Sequence, residues 1–378
     1  MKEFFRAASD LLTINICMTV SLLRRGCFQM HSKKTQMIVA MRLCMFIFVS
    51  TFLALALVPL PRMALVFAAE RFYDGSAGGT GVRELPLYIA KDLGIFEKYG
   101  LDVELIATNG GSPLVQALVG GSIQSASVAA MAPIRAISAG ANLAIVAGFL
   151  NKNMYSFVTR QQIQKPSDLK GKTIGIASFG AANEFSVLMV LKALGIAPNE
   201  VNLRVAGGSL ARLAAIEHGG IDATVVPHSN NAVAISRGMR IFADLAKVVK
   251  EFPDGTVVMK RNLSQREKAP AKRFLQALSE AIYRLKTEPQ LRESIVANIQ
   301  KRIRIDHKYA EDIYEEYNDV FSYPPRVGRQ GLADVLEIIA KQSGKPQAEF
   351  KLDRFVDESL LDELAAEGFF KQLEGQNK

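Results

Sequence analysis

One stretch of this 378-residue chain occurs twice, and the repetition limits the folds open to it more than any other feature. Val103 to Pro133, VELIATNGGSPLVQALVGGSIQSASVAAMAP, is answered by Val201 to Asn230, VNLRVAGGSLARLAAIEHGGIDATVVPHSN. Each copy reads as an alternating strand, a Gly-Gly-Ser turn, a short helix and a Gly pair. An Ile-Gln or Ile-Asp step, a strand of small residues and a further helix follow. The offset, about a hundred residues, is the size of a lobe rather than of a solenoid repeat. Upstream, Leu93-Gly94-Ile95 and Leu194-Gly195-Ile196 each close an apolar-periodic helix with Gly where a C-terminal cap is wanted. Ahead of those helices, Arg71 to Asp74 and Lys172 to Ile176 are short and strand-like. Two similar β-α-β-α-β-α halves predict two α/β lobes facing one another, and a crevice between such lobes is where a ligand would sit.

The formal net charge of +9 suggests a polyanion partner until its distribution is read. Eight of the basic residues and only two acidic ones, Glu3 and Asp10, lie before residue 70, so six of the nine net charges belong to that leader. The remainder carries three and has no basic stripe interleaved with aromatics, which argues against nucleic-acid binding. All three cysteines, Cys17, Cys27 and Cys44, also precede residue 70. Disulfides, thiolate metal sites and a Cys nucleophile are therefore excluded from the rest.

Leu43 to Leu60, LCMFIFVSTFLALALVPL, is an apolar run behind Lys33, Lys34 and Arg42, with small residues near Ala68 and Ala69. Basic residues, an apolar run and then a small-residue site form the pattern of a secretory signal. The run is also nearly long enough to span a bilayer, so an uncleaved anchor and a buried core helix stand beside the cleaved signal. Met37 or Met41 would be a more natural start for a signal than a forty-residue leader.

The candidate site residues are those the pattern puts at strand ends facing the crevice. Gly78 and Gly79 lie in a glycine-rich loop after the first strand, which is either a flexible turn or a set of open amides turned to a ligand. Asn109, Gly110, Gly111 and Ser112 precede a predicted helix, with Ser112 as N-cap and Pro113 at the first helical position. Its free N–H groups suit an anion or polar head, unless the helix is simply well capped. Ser127 lies in the small-residue strand Ser125 to Ala130, whose size leaves room for a ligand or for tight packing. In the second lobe the equivalents are Ser178, Phe179 and Gly180, then Pro227 and His228. A lone His there is either a ligand contact or a structural residue. No pair among His31, His218, His228 and His307 has metal-ligand spacing, and neither a metal nor a cofactor is expected.

Further along, a helix is expected over Leu85 to Phe96, and Thr256 to Lys260 reads as the last strand. Ser264 to Glu267 has the form of a capping box before a long helix, and the chain beyond Pro289 reads as helical segments.

Pro86-Leu87-Tyr88-Ile89-Ala90, the block Leu93-Gly94-Ile95-Phe96-Glu97-Lys98-Tyr99-Gly100-Leu101-Asp102-Val103, Gly110-Gly111 and Gly220-Ile221-Asp222-Ala223 resemble the solute-binding proteins of ABC importers. The subgroup is the SsuA/TauA/NMT1-THI5-like one, and the likeness covers about Phe72 to Gln300. The resemblance implies an α/β, two-lobed type II periplasmic-binding-protein fold with an interlobe ligand crevice, a two-stranded hinge, closure on ligand and a helical C-terminal segment. It implies lobes made of 70–156 plus 262–378 and of 157–261, behind the leader 1–69. It also implies a monomeric, non-enzymatic, periplasmic or otherwise extracytoplasmic protein that hands a small molecule to an ABC transporter permease and touches the membrane only through its N-terminal segment or that permease. The chain departs from the pattern at Gly121-Ser122-Ile123-Gln124, where the family commonly has an Asp, and at Val225-Val226-Pro227, where it has Trp-Glu-Pro. The Cys cluster of the pyrimidine-synthesising enzymes of this fold is absent. Donor-rich candidates without a carboxylate point to an anionic or polar solute of the sulfonate or carboxylate class. The alternatives are an enzyme on the same scaffold, for which Ser178 and Ser209 lack evident His-Asp partners, and a membrane-tethered sensor that keeps the 43–60 run.

Overall fold

The structure, a computed structural model, describes residues 69–76, 82–108 and 110–375. The leader with its apolar run 43–60, Gly78, Gly79 and Asn109 lie outside the described residues. Among the described residues ten strands alternate with helices: β1 Glu70–Ser76, β2 Leu101–Ala107, β3 Ser125–Val128, β4 Leu143–Leu150, β5 Tyr155–Thr159, β6 Thr173–Ile176, β7 Asn202–Val205, β8 Ala223–Pro227, β9 Arg240–Asp244 and β10 Gly255–Lys260. They form two five-stranded sheets, ordered β2-β1-β3-β10-β4 and β7-β6-β8-β5-β9.

The two sheets share one plan. β1 lies parallel between β2 and β3, as β6 does between β7 and β8, and each fourth strand runs antiparallel to both its neighbours. That antiparallel strand is the exchanged one. β5 follows directly on β4 yet joins the second sheet, and β10 follows β9 yet returns to the first. Gly255–Lys260 is thus a first-lobe strand, although a second lobe ending at residue 261 would have taken it. Its apolar Val257, Val258 and Met259 are buried and it pairs on both edges, with β3 and with β4, whereas a place beside β9 at the end of the second sheet would leave one edge unpaired.

The repeat holds down to single contacts. Gly75 on β1 is closely approached by Leu114 and Ile123, and Gly175 on β6 by Arg212 and Ile221. A Cβ on Gly75 would lie 2.4 Å from Leu114 Cδ2, and one on Gly175 the same distance from Ile221 Cδ1 and 3.5 Å from Arg212 Cδ, so a side chain at either place would push its neighbours' side-chain ends aside. The helices concerned, Gly111–Val119 and Ser209–Glu217, occupy equivalent places.

The core of the first sheet includes a stack of Phe72, Phe96 and Phe274, with ring centroids 4.9 and 5.6 Å apart. Phe274 belongs to Gln265–Thr287, whose start carries the expected capping box: Ser264 N–H donates to Glu267 at 2.8 Å, and Ser264 Oγ accepts from the Glu267 N–H. The expected helix over Leu85 to Phe96 is two, Leu85–Asp92 and Ile95–Lys98, because Gly94 turns left-handed with φ 65° between them. The C-terminal helices Arg292–Ile303, His307–Tyr317, Ser359–Ala366 and Phe369–Gly375 pack on the first lobe's core, whereas Arg329–Ser343 packs in a cluster that also holds Phe185 and Val190 of the second. No helix among the described residues is long and apolar enough to cross a membrane.

Two segments cross between the lobes, 151–154 and 245–254. Asn151 pins the first crossing, donating to Ser322 Oγ at 2.8 Å and the Arg326 carbonyl at 2.7 Å, while its Oδ1 accepts from Gly328 N–H at 2.9 Å. Two residues on, Asn153 donates to Ser186 of the second lobe at 3.1 Å.

Candidate functional site

The carboxyl ends of the parallel strands in both sheets open on a cavity of about 660 Å³ between the lobes. Its first-lobe wall is Arg83, Gly110 to Pro113, Val128, Ala129 and the helix Met131–Ser138 through Met131, Ala132 and Arg135; the second-lobe wall is Ala177 to Asn183, Gly208, Ser209, Arg212 and Pro227. Tyr155, at the start of the exchanged strand β5, completes it.

Of the residues expected there, Gly110, Gly111, Ser112, Ser178, Phe179, Gly180 and Pro227 line this cavity together. Ser112 is not the N-cap. The helix begins at Gly111 with Gly110 in the capping position, and no side chain caps it. The equivalent helix begins at Ser209 behind Gly208, again without a side-chain cap. Two helix starts thus turn their amide N–H groups to the same space from opposite lobes, a favourable field for negative charge. Phe179 is 65% exposed at the mouth.

Ser127 and His228 lie elsewhere. Ser127 is fully buried behind the first-lobe wall, one residue before Val128, in a polar row formed by Asp74 and Ser76 on β1 and Ser125 and Ser127 on β3. Ser125 Oγ donates to Asp74 Oδ1 at 2.5 Å, while Asp74 Oδ2 and the Ser76 and Ser127 hydroxyls have no partner among the described residues. Burial pushes the Asp74 carboxyl up to about 7; the hydrogen bond from Ser125 opposes the shift, and Glu84 adds to it. His228 lies in a second cavity, of about 510 Å³, between His228 to Ser236 and the helix His307–Tyr317. Its Nδ1 meets Glu316, and its Nε2 is 3.2 Å from Asp244. Pro227 thus lines the first cavity and His228, next in the chain, the second.

The charge in the main cavity comes from residues that strand-end reasoning missed. No Asp or Glu lines it among the described residues, whereas Arg83, Arg135 and Arg212 do. Arg83 is neutralised: Glu84 lies 2.8 Å away and Asp254 3.5 Å, and although burial alone would lower its pKa, the two carboxylates raise it. Arg212 is different. It is 2% exposed and donates to Thr224 Oγ1 at 2.8 Å, to the Val225 carbonyl at 3.0 Å, to Ser209 Oγ at 3.3 Å and to the Gly207 carbonyl at 2.5 Å. None of these is a carboxylate, and burial lowers its pKa. A signal for it was present in the repeat. Leu114, Val115 and Leu118 are the buried positions of Gly111–Val119, and in Ser209–Glu217 they become Arg212, Leu213 and Ile216. An arginine on a core stripe asks for a reason.

Comparison with known proteins fits this geometry. A comparison with curated proteins returned no match. Among solved structures, the periplasmic aliphatic sulphonate binding protein SsuA from Escherichia coli aligns with a TM-score of 0.62 at 18% identity, covering 76% of this chain and 92% of its own. The periplasmic nitrate-binding protein NrtA from Synechocystis PCC 6803 aligns with a TM-score of 0.63 at 16% identity, covering 79% and 89%. A protein from Bordetella bronchiseptica RB50 gives 0.64 at 20% identity, covering 81% and 98%. The fold is the two-lobed α/β type II periplasmic-binding-protein fold of these structures, with the crevice between the lobes and a helical C-terminal segment. The NMT1/THI5-like family model matches residues 83–291, more than half of the sequence, and the chain belongs to that family.

Proposed function

We propose that the protein is an extracytoplasmic solute-binding protein that takes a small anionic organic molecule of the sulfonate or carboxylate class between its lobes and delivers it to an ABC permease. Arg212 carries the reading. A buried guanidinium without a carboxylate partner is costly, and an anion entering the cavity supplies the missing charge. The two uncapped helix starts at Gly111 and Ser209 add fixed partial charge of the same sign. Relatives of the fold named for sulphonate and nitrate binding agree with an anionic solute. An enzyme would need a nucleophile beside a base. The cavity serines Ser112, Ser178 and Ser209 have no histidine or carboxylate beside them in the lining among the described residues.

A thermal-unfolding screen of the purified protein against sulfonates, carboxylates and amines tests the proposal. A ligand at a hundred times its Kd stabilises by about 2.7 kcal/mol, which is readily seen as a rise in Tm. Sulfonates or carboxylates should raise Tm in the wild type and fail to do so in Arg212→Met. Stabilisation by amines alone would refute the anion reading.

A further inference from the structure

Two of the three cavity arginines have no carboxylate partner among the described residues, and they come from opposite lobes. Arg212 belongs to the second lobe and, among the described residues, donates only to hydroxyl and carbonyl oxygens. Arg135 belongs to the first. It makes one hydrogen bond, from Nη2 to Gln342 Oε1 at 2.7 Å, and its Nε and Nη1 donate to no acceptor among the described residues. Glu184, the acidic residue next in that chain of bonds, is separated from Arg135 by Gln342 and is taken up by the Gly180 N–H. Arg135 also reaches across the crevice, since a Cβ on Gly180 of the second lobe would lie 3.3 Å from its Nε.

A monoanion satisfies one of these guanidinium groups and leaves the other facing an acid-free cavity. Two acidic groups on one small skeleton would satisfy both, and the second pairing would form as the lobes come together. We infer that the solute is a dianion, a small dicarboxylate or sulfocarboxylate, with one acidic group held by Arg212 and the other by Arg135. The inference rests on the anion reading above and adds to it the number of charges. A merely hydrated arginine at the cavity edge would give no such discrimination.

Titration calorimetry on the wild-type protein with matched pairs tests it: succinate against monomethyl succinate, and terephthalate against monomethyl terephthalate. Each pair keeps the skeleton and removes one charge. The diacid should bind on the order of 10- to 100-fold more tightly than its monoester in at least one pair, the size of one charge-assisted hydrogen-bonded contact. Arg135→Gln, at an exposed position, should collapse that ratio towards one. Equal affinities within both pairs, or a ratio that Arg135→Gln leaves unchanged, would overturn the dianion while leaving the anion reading intact, because the esters still bind. Binding of amines in place of all four acids would instead overturn the reading beneath it.

Discussion

Arg212 stands where the other copy of the repeat has Leu114, and the two side chains do different things with the same space. Leu114 is fully buried and closes on Gly75. Arg212 closes on Gly175 with its aliphatic stem and turns its guanidinium to the oxygens at the strand end, keeping a charge out of water. Residues that bind charge at such a cost often lower stability for the sake of function. Arg212→Leu restores the apolar residue of the first copy. Thr224 would keep its bond to the Gly175 carbonyl at 2.8 Å, so few polar groups are orphaned. The ligand-free variant should unfold at a urea midpoint equal to or above that of the wild type, by up to about 1–2 kcal/mol in stability, and should lose its response to acids. A variant less stable by several kcal/mol would mean that Arg212 holds the lobe together. The residue was legible from the repeat alone, by asking which core position had become charged. Arg135 was not, because its surroundings, the Phe185 ring and Gln342, 207 residues along the chain, are brought together only by the tertiary fold.

At the scale of elements, the exchanged strands and the C-terminal helices join the lobes. Arg329–Ser343 lies against the second crossing segment so closely that a Cβ on Gly331 would fall 2.6 Å from the Glu251 carbonyl carbon, and Gly331 N–H donates to Glu251 Oε2 at 3.0 Å. From the second lobe Lys192 reaches Asp334 on that helix at 3.6 Å. A second link runs from His228, just past β8, to Glu316 on His307–Tyr317. Asp244 at the end of β9 faces the other ring nitrogen and is itself shared with Lys247 at 3.3 Å, and Asp312 lies nearby in the same cavity. Burial by itself lowers the imidazole pKa, but the hydrogen bond and charge of Glu316, then Asp244, outweigh it, and the net shift is upward. A raised folded-state value means that the imidazolium stabilises the native protein fully below the unfolded value of about 6.5 and ceases to do so as pH rises through the folded value. Urea midpoints of wild type and His228→Gln should therefore lie furthest apart near pH 5.5 and converge towards pH 9. Parallel curves would remove the link. Sequence placed His228 at a strand end and hence in the crevice. Its partner Glu316 lies 88 residues away, a contact that no local pattern announces.

For the whole molecule, the repeat made two α/β lobes legible, since alternating strands, Gly pairs and apolar helices are local signals. The exchange of β5 and β10 was not legible to the same degree, because sequence adjacency favours pairing each strand with its predecessor and only the tertiary core decides otherwise. That exchange has a mechanical consequence. Among the described residues the backbone passes between the sheets at 151–154 and 245–254, so a rotation needs few backbone angles to change, and ligand bonds to Arg212 on one side and Arg135 on the other would draw the walls together. The cysteine-free sequence after residue 69 allows this to be measured directly. Val119 and Leu210 are 55% and 56% exposed on different lobes, so cysteines there take spin labels without disturbing a core. In protein with Cys17, Cys27 and Cys44 replaced by Ser, the label-to-label distance measured by pulsed dipolar spectroscopy should shorten and its distribution narrow when the most stabilising acid of the screen is added. The same acid should leave the distribution of an Arg212→Met version unchanged. A distance that does not move in the wild type, while calorimetry reports saturation, would mean that the solute enters a preformed crevice and that closure plays no part in holding it.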